Sequence, residues 1–79
     1  MGIGKNIKEY LIDHGISQKY ISIKTGIDQW KVTAIVNEKV NLSVVDYIKI
    51  CNVLSVSLYE FVPDEYQPDK YVTSFRIKG

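Results

Sequence analysis

The chain has 79 residues, about half of the ~150 of an average domain, so it has room for one compact domain and not for two. Ten Lys and Arg against nine Asp and Glu leave a net charge of +1, and 46% hydrophobic with 24% charged residues is ordinary globular composition, which excludes a disordered or fibrous chain. A domain this small buries only roughly 60% of its unfolded surface, which argues against a deep substrate cavity and leaves a role for a dimer partner.

Periodicity predicts five short helices and a tail of a different kind. The first helix covers about residues 4 to 14, with Ile3, Ile7, Tyr10 and Leu11 on one face and Gly15 placed as its left-handed cap. Ser17 is a good N-cap for a second helix over residues 18 to 24 with Ile21 inward, and Thr25-Gly26-Ile27 reads as a tight turn. Asp28 is expected to cap a third helix from Gln29 to about Val36. After a loop at residues 37 to 41, Ser43-Val44-Val45-Asp46 has the form of a capping box opening a fourth helix. That helix ends near Leu54, with Val44, Tyr47, Ile48, Cys51 and Leu54 as its expected inward stripe. Ser57-Leu58-Tyr59-Glu60 reads as a second capping box, opening a short fifth helix that Pro63 stops.

The tail changes period. Residues 63 to 69 are a polar linker holding both prolines, and residues 71 to 77 alternate β-branched and aromatic residues as a strand would. Tyr71, Thr73, Phe75 and Ile77 would line one face of it. An isolated amphipathic strand is an aggregation liability, so these four residues are candidates for pairing with the same segment of a second subunit. The expected organisation is a helical domain over residues 1–62 and a linker with a strand-like tail over residues 63–79.

The single cysteine, Cys51, forms no internal disulfide and no Cys pair for a metal, which fits a reducing compartment and a metal-free fold. The first residues reach charge too early for a signal peptide, and no apolar run approaches the ~18 residues of a membrane-spanning helix. A cytoplasmic protein without membrane partners is expected. His14 beside Asp13 has no supporting catalytic framework, because adjacent residues on a helix do not face one another. The expectation is therefore no enzyme, no catalytic residue and no cofactor. Residues 1–40 hold six Lys against four acids, whereas residues 41–79 hold four basic residues against five acids, so the first half is the better match to an anionic partner.

Two helices of about eight residues joined by a three-residue turn with glycine at its centre form a helix-turn-helix unit. Ser22 is small where the helices cross, Gly26 permits a positive φ, and Ile21, Ile27, Val32 and Ile35 supply the apolar contacts that fix the angle. Ile16-Ser17-Gln18-Lys19-Tyr20-Ile21-Ser22-Ile23-Lys24-Thr25-Gly26-Ile27 resembles the "LSQ…LA…TGI" opening of Xre-type helix-turn-helix proteins, the lambda-repressor-like and Cro-like regulators. Asn37-Glu38-Lys39 resembles the "NGK" loop of that family, and Ser43 to Phe61 resembles its "PSL…L…LGVSLDEL" close. Glu38 and Ser55 stand where the family has glycines, Val36 where a glutamate is usual, and Thr25 where an apolar residue is common. The resemblance implies an all-α, five-helix lambda-repressor-like DNA-binding domain that regulates transcription, with the strand-like tail added.

With Val32, Ile35 and Val36 inward, steps of about 100° per residue turn Trp30, Ala34 and Asn37 outward, with Gln29 and Thr33 on one flank and Lys31 on the other. Gln29 can bond an adenine edge, Thr33 and Ala34 can meet thymine methyls, and no arginine is present there for guanine. An A·T-leaning half-site follows. Gln18 matches the phosphate-contacting glutamine of the family and stands at a helix N-terminus that favours anions, while Lys19, Lys31 and Lys39 are further phosphate candidates. The expected partner is double-stranded DNA bound by a homodimer. The rival reading is an interaction module, such as an antitoxin or adaptor, whose tail strand joins a protein partner.

Overall fold

A computed structural model describes residues 2–66. Their order is α1 (Ile3–Asp13), α2 (Gln18–Thr25), α3 (Gln29–Val36) and α4 (Val44–Leu54), followed by a single 3-10 turn at Asp64–Tyr66. The strand expected of Tyr71, Thr73, Phe75 and Ile77 lies outside the described residues.

Local chemistry sets most of the boundaries. α1 ends where Gly15 takes a φ of +66°, letting the Ile16 amide donate to the Leu11 carbonyl at 2.8 Å. Ser17 Oγ accepts from the Tyr20 amide at 3.0 Å and opens α2, and Ser43 Oγ accepts from the Asp46 amide at 3.1 Å and opens α4. His14 sits past the end of α1 with Nδ1 2.9 Å from the Tyr10 carbonyl and its ring stacked on Tyr10. This is a packing role.

The helices meet over one core of Ile7, Leu11, Ile21, Ile27, Val32, Val36, Ile50, Cys51 and Phe61. Full burial of such a side chain is worth roughly 1.5–3 kcal/mol, so losing any one would remove a large part of a small domain's stability. α3 packs against both α1 and α2, while α4 packs on α2. Val32, Ile35 and Val36 point inward as the periodicity predicts, and a buried Val36 suits the site better than a glutamate would.

α4 departs from expectation. Its buried residues are Asp46, Ile50 and Cys51, with Tyr47, Val53 and Leu54 partly covered, whereas Val44, Val45 and Ile48 are exposed. Val44 and Ile48 are therefore not core residues. The helix is apolar at 44, 45, 47, 48, 50, 51, 53 and 54, so several faces read as a stripe and periodicity alone does not choose among them. Tertiary partners choose: Ile50 enters the core, and Asp46 turns toward α3.

The fifth helix does not form. Ser57 Oγ accepts from the Tyr59 amide at 3.2 Å, two residues on, and the Glu60 and Val62 amides reach back only three residues, to Ser57 and Tyr59. Six residues before Pro63 are too few to offset the cost of helix nucleation, so the segment stays a turn. It is held by its side chains instead. Phe61 packs edge-on against Tyr10 and Tyr47, Asn6 Nδ2 donates to the Phe61 carbonyl at 2.9 Å, and Tyr47 Oη donates to the Leu58 carbonyl at 2.5 Å. Burial, with Cys51 as neighbour, pushes the Tyr47 phenol up to about 12, and burial also raises the Cys51 thiol.

Candidate nucleic-acid interface

The α2–α3 junction is built within seven residues. Gly26 takes a φ of +81°, and Thr25 Oγ1 donates to the Ile21 carbonyl at 2.6 Å while accepting from the Ile27 amide at 3.1 Å. Ser22 Oγ donates to the Ile27 carbonyl at 2.5 Å. A hydroxyl at position 25 thus does a job no apolar residue could, satisfying two backbone groups across a turn. Asp28 follows, and here the structure corrects the sequence reading: it occupies the N-cap position of α3, yet its carboxylate makes no capping hydrogen bond. Asp28 is an exposed anion at the leading end of α3.

On the outer side of α3, Gln29, Trp30, Thr33 and Asn37 are exposed and Ala34 is partly so. Trp30 keeps 65% of its surface in water, opposite the buried Val32 and Val36. Thr33 Oγ1 donates to Gln18 Oε1 at 2.7 Å, which ties the start of α2 to the middle of α3. The bond orients both partners. Gln18 keeps its amide N–H groups for an acceptor such as a phosphate oxygen, and Thr33 keeps its methyl for an apolar contact.

Asn37 is held from two sides. Lys8 Nζ donates to its Oδ1 at 2.7 Å, and its Nδ2 donates to the Thr33 carbonyl at 3.0 Å. Lys19 and Lys39 are exposed, on α2 and on the loop after α3. Lys31 lies apart from these, since its ammonium is 3.1 Å from Asp46 Oδ2 on α4. The structure thus brings Gln18, Gln29, Trp30, Thr33, Ala34 and Asn37 onto one surface and turns Lys31 to its flank.

Three residues at this surface escaped the sequence reading. Lys8 is an α1 cation at the Asn37 edge. Glu38, with φ +58°, accepts from the amides of Gly2 and Lys5 at 3.1 and 3.0 Å and so caps α1, which has no side-chain cap of its own. Asp46 is the third. Lys8 and Glu38 carry no local signal for these roles, because their partners lie 29 or more residues away, and only the acid in place of a glycine at 38 hinted at one; Asp46 carried a capping-box signal, but its carboxylate turns to Lys31 instead.

The model of the Cro/C1-type HTH DNA-binding domain matches residues 6–67, most of the chain. No curated protein and no solved structure matches it. The chain belongs to the Cro/C1-type helix-turn-helix DNA-binding family, and the resemblance read from residues 16–27, 37–39 and 43–61 is thereby a shown membership. No helix among the described residues is long and apolar enough to cross a membrane.

Proposed function

We propose that this Cro/C1-type protein is a sequence-specific, double-stranded DNA-binding transcriptional regulator, a cytoplasmic homodimeric repressor of phage or mobile-element type, and not an enzyme. The observation that carries the reading is the outer face of α3, where Gln29, Trp30 and Thr33 stand exposed above a fully buried inner face. Gln29, Trp30, Thr33, Ala34 and Asn37 meet the major groove. Gln18, Lys19 and Lys39 hold phosphates at its edges, with Lys31 on the flank. Gln29 bonds adenine, and the Thr33 and Ala34 methyls meet thymine, so the half-site leans to A·T. Beyond its two internal hydrogen bonds, Asn37 keeps one Nδ2 N–H and one Oδ1 lone pair with which to read a base.

A homodimer places two copies of α3 on successive major-groove faces roughly 34 Å apart, which demands an inverted repeat. Tyr71, Thr73, Phe75 and Ile77 would pair between subunits, so truncation after Pro63 should yield monomer. A truncated chain that still elutes as a dimer contradicts that role. The uncharged exposed surface of Val44, Val45 and Ile48 also supports a partner, since an apolar patch is its own complement across a two-fold axis.

The same patch, with Asp28 at the leading end of α3, favours the second reading of an antitoxin or adaptor that binds a protein. Selection of duplexes from a random pool at about 150 mM salt separates the two, because specific binding must there exceed the charge-driven background. Enrichment of an A·T-leaning inverted repeat is expected. No enrichment by folded protein moves the assignment to the interaction module.

A further inference from the structure

Asp46 is the one polar or charged side chain in the buried core of the described residues, only 8% exposed. Its Oδ2 lies 3.1 Å from Lys31 Nζ but makes no hydrogen bond, so the two are joined as charges. The Asp46 side chain is largely removed from water, and Lys31 is the cation that reaches it. Lys31 is also the only charged residue in the α3 sequence QWKVTAIV. Pairing it with Asp46 leaves the reading surface of α3 with hydrogen-bonding groups, methyls and an indole, and with no cation to offer phosphate.

We propose that Asp46 is a specificity-determining residue that acts through Lys31, withholding the one cation of the recognition helix from the DNA backbone. The inference rests on the DNA-binding reading. Phosphate contacts attract every sequence equally, while base contacts discriminate. A free lysine on α3 would add one such indiscriminate contact, and its capture makes α3 contribute discrimination without background affinity. A second consequence is geometric. The pair fixes the first half of α3 to the first turn of α4, which holds Gln29 and Trp30 at a set angle to the core.

The test is the salt dependence of affinity for one fixed mixed-sequence duplex, using the full chain and checking each variant's fold by circular dichroism. Asp46→Asn should steepen the log–log slope by about 0.9, equivalent to about a 3.5-fold larger loss of affinity between 50 and 200 mM salt. Discrimination between a selected and a random duplex should fall with it. The double variant Lys31→Gln/Asp46→Asn removes both charges and leaves no uncompensated ion, so it keeps the test open should a single variant fail to fold. Its slope should equal that of the wild type. A double-variant slope shallower by about one would show that Lys31 already sits on phosphate, and would overturn the proposal. So would an unchanged slope in folded Asp46→Asn. A wild type that binds no duplex at any salt would instead overturn the DNA-binding reading, and this inference with it.

Discussion

The two ends of α3 are fixed by opposite means. At its N-terminal junction the hydrogen bonds of the turn are local: Gly26, Thr25, Ser22 and Ile27 close it with bonds spanning two to five residues. At its C-terminal junction remote partners join the local ones, since Glu38 caps a helix that begins 35 residues earlier and Lys8 reaches Asn37 across 29. The first junction holds the angle of the helix-turn-helix unit. The second locks that unit to α1, with Gly4 packed against the Ile35 carbonyl and Glu38. A local junction can be assembled from short-range chemistry alone, whereas a remote one exists only once the domain has folded.

Mutations should separate the two. The largest effect is expected for Gly4→Ala, whose new Cβ would fall on the Ile35 carbonyl oxygen, backbone that cannot move aside, and 2.9 Å from Glu38 Cγ. It should cost about 3 kcal/mol in urea unfolding, the upper part of the range for overpacking. A near-wild-type midpoint would show that the α1–α3 contact is loose. Next comes Glu38→Ala, which removes the acceptor from the amides of Gly2 and Lys5 and should cost about 1–2 kcal/mol. Glu38→Gly loses the same bonds but relieves the positive φ, so it should be the milder variant by about 1 kcal/mol. If Glu38→Ala, which keeps the positive φ, were as stable as wild type, the cap would be idle.

At the local junction, Gly26→Ala meets no atom within 4 Å and suffers only the left-handed backbone, so about 1 kcal/mol is expected. A loss as large as that of Gly4→Ala would erase the contrast between the two ends. Ser55 sits in the same backbone region with a φ of +57° at the end of α4, and Ser55→Gly should raise the free energy of unfolding by about 0.5–1 kcal/mol. A further effect is resolved by pH. Tyr47 extends the remote class to the C-terminal segment, and its phenol is raised from 10.0 to about 12 on folding. The folded state therefore binds the proton more tightly than the unfolded one. Its contribution is fully present below pH 10 and is lost as pH rises toward 12. Tyr47→Phe should flatten that part of the stability profile; an unaltered profile would assign the alkaline loss to other groups.

The same contrast explains what could be read from the sequence. Ser17, Gly15, Gly26 and Ser43 act on amides and turns a few residues away, so α1 to α4 begin and end close to where those residues place them. The outward face of α3 was legible for the same reason, because Val32, Ile35 and Val36 leave one buried side and one exposed side. α4 was not, since apolar residues surround it and the choice of face was made by Ile50 entering the core and by Asp46 meeting Lys31. The segment after α4 carried a helix signature in Ser57 and Glu60, but six residues before a proline give too few hydrogen bonds to use it. At the interface, Gln18 and Thr33 were each singled out, whereas their bond to one another depends on the crossing of two helices and has no sequence signature.

The central claim is that the exposed side of α3 meets base pairs, and Trp30 reports on it directly because it is the only tryptophan in the chain. Its emission should be followed while the protein is titrated with an A·T-rich and, separately, a G·C-rich duplex. The account predicts red-shifted emission in the free protein, as 65% exposure requires, then quenching and a blue shift that saturate at lower concentration with the A·T-rich duplex. Emission that neither duplex moves, in protein that remains folded, would contradict it.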